Sequence, residues 1–182
     1  LLVLLPFSSY IASLPLIRED WGMTNAQSGV VFSAYLVGYA LSSLVLVPLT
    51  DRVAPARVLT ISVAVIAASN MLFPVLAQDV WSGSLLRLLA GAGHVGAYIP
   101  GIQLVSLRYA EGRRGAAVGI FVSAGYAGTT ISYIFMGQLL NHTDSWRWAY
   151  FITALVGLAS VALAALLWRQ EAARRAETPA PA

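Results

Sequence analysis

The chain has 182 residues, of which 58% are hydrophobic and 10% charged, and its net charge is +3 with no cysteine. A domain of this size leaves much of its surface in water and normally carries about 25% charged residues, so this composition excludes a soluble globule and predicts a protein embedded in a lipid bilayer. The lack of cysteine excludes disulfides, thiolate metal sites and cysteine nucleophiles. The arginines lie at predicted helix ends and not in one patch, so nucleic acid is not an expected partner.

Six apolar stretches approach the roughly 20 residues that a membrane span needs. The first runs from Leu1 to about Ile17. It is short, and the chain has no initial methionine, so we expect a missing start and a fragment of a longer protein. The other stretches cover about residues 27–49, 58–77, 82–107, 115–140 and 148–168. Short polar links make neighbouring helices antiparallel, so residues 1–168 are predicted to form one bundle. Residues 169–182, first charged and then Pro/Ala-rich, are predicted to form a disordered cytoplasmic tail.

Orientation is predicted from arginine, because lysine is absent. Two arginines, Arg18 and Arg147, follow odd-numbered helices. Eight follow even-numbered ones: Arg52, Arg57, Arg108, Arg113, Arg114, Arg169, Arg174 and Arg175. Basic residues accumulate on the cytoplasmic side, so both ends of the bundle are predicted to be cytoplasmic. We expect the membrane to be the bacterial cytoplasmic membrane. All five tryptophans lie near predicted helix ends, as in an aromatic belt.

Polar side chains concentrate in the fourth and fifth helices. A polar group in lipid is costly unless it faces protein or a wet cavity, so these helices are predicted to line a cavity and the third and sixth to face lipid. At 3.6 residues per turn, one face of the fourth helix carries Arg87, Gly91, His94 and Tyr98. Gly93, Gly96 and Pro100 lie roughly opposite, where small residues allow close helix packing. The fifth helix carries a stripe of Tyr126, Thr129, Thr130 and Tyr133.

Each of these polar groups has two interpretations. Arg87 is a charge in a solute pathway, or it snorkels to the nearby membrane surface. His94 is a protonation switch or a hydrogen-bonding partner of a neighbouring helix, and the stripe on the fifth helix lines the pathway or bonds another helix. Packing is the favoured interpretation for five residues of the first two helices: Tyr10, Ser13, Tyr35, Tyr39 and Ser42.

Three stretches resemble the major facilitator superfamily. Leu49-Thr50-Asp51-Arg52-Val53-Ala54-Pro55-Ala56-Arg57 is similar to the family's loop signature Gly-x-Leu-Ala-Asp-Arg-x-Gly-Arg-Arg. It matches at Leu49, Asp51, Arg52 and Arg57, and departs at Val47, Ala54 and Pro55. Arg87 followed by Gly91-Ala92-Gly93 resembles the fourth-helix pattern. Trp146-Arg147-Trp148, followed by Phe151, resembles the opening of the sixth helix.

The resemblance implies an all-α membrane fold in which six helices, as two inverted three-helix repeats, form one half of a transporter. It implies alternating access, a small solute bound between two halves, and a missing C-terminal six-helix half. It also implies a gating role for Asp51, Arg52 and Arg57 and a pathway role for Arg87. Arg87 has no nearby carboxylate in the sequence, which favours an anionic or polar solute.

Two rival functions are considered. An intramembrane serine protease would use Ser123 and His94, but such enzymes resemble Gly-x-Ser-Gly and Ser123 lacks both flanking glycines. A non-transporting receptor or scaffold stays open, and a solute flux assay distinguishes it. The four aspartates lie in separate links and no nucleotide motif is present, so we expect neither a metal, a cofactor nor an enzyme.

Overall fold

A computed structural model describes residues 8–143 and 145–177, and all of their regular structure is helical. The helices are α1 (Ser9–Asp20), α2 (Asn25–Leu49), α3 (Pro55–Leu76), α4 (Val80–Arg108), α5 (Glu111–His142) and α6 (Trp146–Glu177). Helices α2 to α6 are each long and apolar enough to cross a membrane. The described part of α1 has 12 residues, and the predicted start of this helix at Leu1 lies outside the described residues. The protein is an integral membrane protein, as its composition predicts.

Helix α6 extends beyond its predicted end at about Trp168. It continues past Trp168 to Glu177, so the predicted tail is helical as far as that residue, and residues 178–182 lie outside the description. Its charge pattern suggested disorder. However, alanine, arginine, glutamine and glutamate are strong helix formers, and neither glycine nor proline interrupts them before Pro179.

Local sequence sets the helix starts at one end of the bundle, which we call the Asp79 end. Thr24 caps α2 through a reciprocal pair of bonds with Gln27, and Asp79 caps α4 in the same way with Ser82. Gly22 supplies the positive φ of 60° that the turn between α1 and α2 needs. The opposite end carries the α2–α3 turn, where Pro55 opens α3, and we call it the Asp51 end.

Glycines bring α4 close to its neighbours on two faces. A Cβ atom added to Gly91 would lie 2.0 Å from the carbonyl oxygen of Tyr35 on α2. On the opposite face, a Cβ added to Gly93 or Gly96 would lie 2.8 Å or 2.1 Å from oxygen atoms of Ser62 on α3. Pro100 is also buried on that face. Helix α4 is therefore clamped between α2 and α3 at positions where only glycine fits.

The prediction that α3 faces mainly lipid is wrong. Of the five spanning helices α3 has the largest buried share, because it lies between α4 and α6. Its polar residues face protein: Thr60 donates to the carbonyl oxygen of Ala164 at 3.0 Å, and Asn70 accepts from the Tyr150 hydroxyl at 3.1 Å. Small hydroxyl and amide groups satisfied by a neighbouring helix allow close packing and need no cavity.

Candidate functional site

The guanidinium of Arg87 is the most unusual group in the bundle. Arg87 stands seven residues after the start of α4, about 10 Å along the helix, and only 1% of it is exposed. Its guanidinium carbon lies 4.9 Å from the ring centroid of Tyr10 on α1 and 4.5 Å from that of Tyr35 on α2. This geometry is a cation–π sandwich between two helices. A snorkelling side chain keeps its charge in water, so the snorkelling interpretation does not fit.

No acceptor in the described bundle pairs with this cation. All three guanidinium nitrogens are buried without a hydrogen-bond partner. The nearby hydroxyls are engaged elsewhere: Tyr10 donates to the carbonyl oxygen of Ser28 at 3.1 Å, and Tyr35 pairs with His94. The Tyr150 hydroxyl donates to Asn70 and also interacts with Arg87, although no guanidinium nitrogen has a partner at the distance and angle of a hydrogen bond. Within the described residues, Arg87 therefore presents a fork of donors and a positive charge without an acceptor at hydrogen-bond geometry.

His94 lies two turns along the same face of α4, inside a cluster of tyrosine rings. Its Nδ1 atom pairs with the Tyr35 hydroxyl. Its ring centroid lies 5.9 Å from that of Tyr35, 5.7 Å from Tyr39 and 6.5 Å from Tyr98, all edge to face. Tyr98 in turn contacts Phe121 on α5 at 6.4 Å. Tyr35 thus touches both Arg87 and His94, although the sequence favoured a packing role for it.

The predicted stripe on α5 lies on a different surface from this cluster. Tyr126 is 73% exposed, Tyr133 and Thr130 are also exposed, and Thr129 is half-buried. The two threonine hydroxyls donate at 3.2 Å to carbonyl oxygens of their own helix, at Gly125 and Tyr126. Bonding of these hydroxyls to another helix, one of the two interpretations from sequence, is therefore not what the structure shows. The stripe faces outward from the bundle.

The predicted gating residues lie at the surface of the Asp51 end. Asp51, Arg52 and Arg57 are all exposed, and among the described residues the one ion pair is elsewhere, between Asp20 and Arg147. Beside them, Thr50 is buried and accepts a bond of 3.0 Å from Nε2 of Gln103 on α4. Gln103 ties α4 to this turn. Gln103 is not among the site residues predicted from the sequence, although an amide within an apolar span is a detectable signal.

At the Asp79 end a second arginine joins three helices. Arg147 on α6 lies 3.2 Å from a carboxylate oxygen of Asp20 on α1. It also donates at 2.8 Å and 3.2 Å to the carbonyl oxygens of Pro74 and Ala77 at the end of α3. Its guanidinium carbon lies 4.4 Å from the Trp146 ring, whose nitrogen donates to the same Asp20 oxygen at 3.2 Å. We call these residues the outer clamp.

The tryptophans divide into two groups. Trp81, Trp148 and Trp168 are at least 40% exposed, as an aromatic belt requires. Trp146 is buried and Trp21 is half-buried, and their rings pack against each other and against Phe73 at centroid distances of 6.1–6.2 Å. These two tryptophans therefore belong to the core beneath the outer clamp and not to a belt.

The geometry does not favour the protease alternative. His94 Nδ1 is engaged by Tyr35 in the ring cluster, while Ser123 is exposed on α5. A serine nucleophile needs a base within hydrogen-bond reach that is held in place by a third group. In this structure the Nδ1 atom of His94 is paired with a tyrosine hydroxyl and not with Ser123.

Comparisons with known proteins agree with these features. The chain is 31% identical over 170 residues to the multidrug resistance protein MdtG of Citrobacter koseri, covering 90% of this chain and 41% of that protein. It is 30% identical over 155 residues to a gallate transporter of Pseudomonas putida, covering 85% and 33%. It is 26% identical over 141 residues to a probable sphingolipid transporter, spinster homolog 1, of Arabidopsis thaliana, covering 76% and 28%.

The chain thus spans between about a quarter and two fifths of the length of these relatives. The sequence profile of the Major Facilitator Superfamily matches residues 1–182. Together with six helices in the expected order and the three matching motifs, this match shows that the chain belongs to the major facilitator superfamily.

Proposed function

We propose that the chain is the first half of a secondary transporter that moves a small solute across the membrane by alternating access. Family membership and relatives named as transporters support the reaction class. The observation that carries the proposal is the buried guanidinium of Arg87, which has no hydrogen-bond acceptor among the described residues. Burying an unpaired charge costs several kcal/mol, so a folded protein retains one where function needs it.

The solute in this proposal carries an anionic group that binds Arg87. A guanidinium presents five donors in a planar fork that suits a carboxylate or phosphate. The rings of Tyr10 and Tyr35 cover it, so one of them must turn aside to admit the solute, as occlusion in an alternating-access cycle requires. The relatives are named for gallate, sphingolipid and several drugs, and only the first is a simple carboxylate. The proposal that the solute is anionic therefore rests on the chemistry of Arg87 and not on the names of the relatives.

A second six-helix half is proposed to cover the outward faces of α2 and α5. Helix α2 exposes Leu36, Leu41 and Leu44, and α5 exposes Tyr126 and Tyr133. A solute held between the halves would meet the α5 stripe, with Thr129 and Thr130, on one side and Tyr98 with His94 on another. Asp51, Arg52 and Arg57 would then meet the second half at the Asp51 end and gate it by charge.

Flux in proteoliposomes tests the proposed function. The full-length protein is reconstituted, and uptake of radiolabelled benzoate, gallate and phosphate is compared with uptake of a neutral sugar. We expect saturable uptake of an anion that is accelerated by unlabelled anion on the opposite side. A receptor or scaffold would bind an anion without moving it, and a folded protein with that behaviour would contradict the proposal.

The proposed orientation places the Asp51 end in the cytoplasm. This chain has no cysteine, so single cysteines at Asp79 and Gly112 give an unambiguous labelling experiment. An impermeant maleimide should label Asp79→Cys in intact cells, and Gly112→Cys only after the membrane is opened. Labelling of both from one side would rule out the topology.

A further inference from the structure

Arg87 has a neighbour on its own helix that also lacks a hydrogen-bond partner. Within the described bundle, five residues carry a buried side-chain nitrogen or oxygen without such a partner: Ser13, Trp21, Ser84, Arg87 and Gln103. Ser84 and Arg87 are the two that lie within one turn of each other, near the start of α4. Residues three apart on an α-helix are neighbours, with about 5–6 Å between their Cβ atoms. The Ser84 hydroxyl and the Arg87 guanidinium are therefore adjacent donors on one helix.

The direction of helical side chains brings these two donors closer together. Each Cα–Cβ bond of an α-helix is tilted toward the helix N-terminus, so a long side chain covers the turn before its own Cα atom. Helix α4 begins at Val80, and Ser84 lies in the turn that precedes Arg87. The guanidinium is therefore directed toward the turn that carries the Ser84 hydroxyl, and one bound group can contact both side chains.

The hydroxyl of Ser84 also differs from other hydroxyls of the spans. A hydroxyl within a helix commonly donates to a carbonyl oxygen three or four residues earlier. The hydroxyls of Ser43, Thr60 and Thr130 do so here, at 2.7–3.2 Å. The Ser84 oxygen is buried without any such bond. A ligand that accepts from Ser84 therefore gains a hydrogen bond and breaks none.

We propose that Ser84 is a solute-binding residue that donates to a third oxygen of the anion held by Arg87, so that the site selects a tetrahedral oxyanion over a carboxylate. This inference rests on the proposed function and deepens it by naming the anionic group of the solute. The planar fork of Arg87 pairs with two oxygens of the anion. A carboxylate would have to share one of those oxygens with Ser84. A phosphate, phosphonate or sulfonate has a third oxygen outside the plane of the fork.

The charges of the bundle agree with an anion at this position. The sequence has eight acidic residues, and each lies in a link between helices or in the first or last turns of a helix. No carboxylate within the apolar part of a span therefore competes with the solute for Arg87. The rival occupant is an internal water molecule, which has acceptor lone pairs for the same two donors but no charge.

Calorimetric binding of two anions with equal charge tests the inference. Benzoate and benzenesulfonate each carry one negative charge on the same phenyl ring, and their anionic groups have two and three oxygens. The full-length protein in lipid nanodiscs is titrated with each anion. A hydrogen bond to a charged group corresponds to about tenfold in affinity, so we expect benzenesulfonate to bind about tenfold more tightly than benzoate.

Ser84→Ala removes the hydroxyl and should abolish this preference while leaving benzoate binding nearly unchanged. The variant should fold normally, because alanine is the stronger helix former and the lost hydroxyl has no partner. The matched control is Ser160→Ala on α6, whose hydroxyl donates to the carbonyl oxygen of Gly157 in its own helix. This control should keep the full preference, and Arg87→Gln should weaken the binding of both anions.

The outcomes separate this inference from the proposed function. Equal affinities of the two anions for the wild-type protein would overturn the inference alone. A preference for benzenesulfonate that survives in Ser84→Ala would also overturn it, and would mean that the hydroxyl bonds internal water and not the solute. A folded wild-type protein that binds neither anion would contradict the proposed function, and the inference with it.

Discussion

Arg87 and Arg147 are held in opposite ways. Arg147 lies in the outer clamp, where its side chain is 36% exposed and meets a carboxylate, two carbonyl oxygens and an indole ring. Arg87 lies within a span, is 1% exposed, and contacts two aromatic rings but no hydrogen-bond acceptor in the described part of the chain. Arg147 therefore has hydrogen-bond acceptors near the surface, where water could also have bonded to it. Arg87 is buried and has no hydrogen-bond acceptor among the described residues.

The difference separates an arginine that stabilises the fold from one for which we propose a role in binding. The contacts of Arg147 join the ends of α1, α3 and α6, and none of them needs a further partner. Arg87 gains only cation–π contacts, worth about 2 kcal/mol when desolvated, against a larger cost of burying its charge. Folding alone does not explain such a residue. The anionic solute of the proposed function would supply the acceptor that Arg87 lacks among the described residues.

The sharpest way to break this comparison is to neutralise each arginine and measure both flux and thermal stability. Arg87→Gln should reduce anion flux by roughly 100-fold or more, because loss of one partner in a buried charge pair costs about 2–5 kcal/mol. Its unfolding midpoint should stay the same or rise, since a buried charge has been removed. Arg87→Lys should also be impaired, because lysine lacks the planar fork. Normal flux in Arg87→Gln would refute the pathway role of Arg87.

The second prediction concerns the glycine that positions the cation–π sandwich. Gly91→Ala places a methyl group 2.0 Å from the Tyr35 carbonyl oxygen, and a backbone atom cannot move aside as a side chain does. We expect a loss of about 3 kcal/mol in stability, at the upper end of overpacking costs, together with reduced flux. The matched control is Gly119→Ala on α5, where nothing lies within 4 Å. Equal midpoints in the two variants would mean that the α2–α4 crossing is not constrained.

The sequence predicted the fold better than it predicted the site. Hydrophobic runs predicted the six helices, because in lipid the backbone groups have no hydrogen-bond partners outside their own helix. They misplaced the end of α6, where helix propensity outweighed charge. The prediction that α3 faces lipid followed from its few polar side chains. The sequence does not show that the hydroxyl and amide groups of this helix bond to a neighbouring helix. Tyr35 and Gln103 were undervalued because their roles depend on which side chains other helices bring near.

The third prediction tests the outer clamp as a purely structural device. Arg147→Gln removes the ion pair and both bonds to the end of α3, and bonds to charged groups are worth about 1.5–3 kcal/mol. We expect a stability loss of about 2 kcal/mol. Asp20→Asn should cost less, about 0.2–1 kcal/mol, because the pair is partly exposed and screened. Flux per folded molecule should be unchanged in both. A flux defect larger than the folding defect would show that the clamp also moves during transport.

The fourth prediction concerns Asp51, an exposed charge without an ion pair among the described residues. Asp51→Asn should leave insertion and stability unchanged and slow flux about two- to fivefold, as expected if a charge near a helix end contributes about 0.3–1 kcal/mol to closing the gate. Glu111→Gln, which removes another exposed acid from the same end of the bundle, is the control and should leave flux per folded molecule unchanged. Unchanged flux in Asp51→Asn would count against gating.

The smallest expected effect is at Asp79, whose carboxylate caps the start of α4 and already has hydrogen-bond partners. Bonds from the backbone N–H and the hydroxyl of Ser82 hold the pKa of Asp79 below its usual value of 3.8. A carboxyl with a depressed folded-state pKa contributes stability above its unfolded-state value and loses it as pH falls through the folded-state value. Asp79→Ala should therefore lower the unfolding midpoint at pH 7 by more than it does at pH 3. Asp79→Asn keeps a capping oxygen without the charge, so its difference from wild type should shrink at the lower pH. If Asp79→Ala lowers the unfolding midpoint by the same amount at pH 7 and pH 3, the capping carboxylate does not have the lowered pKa that its hydrogen bonds imply.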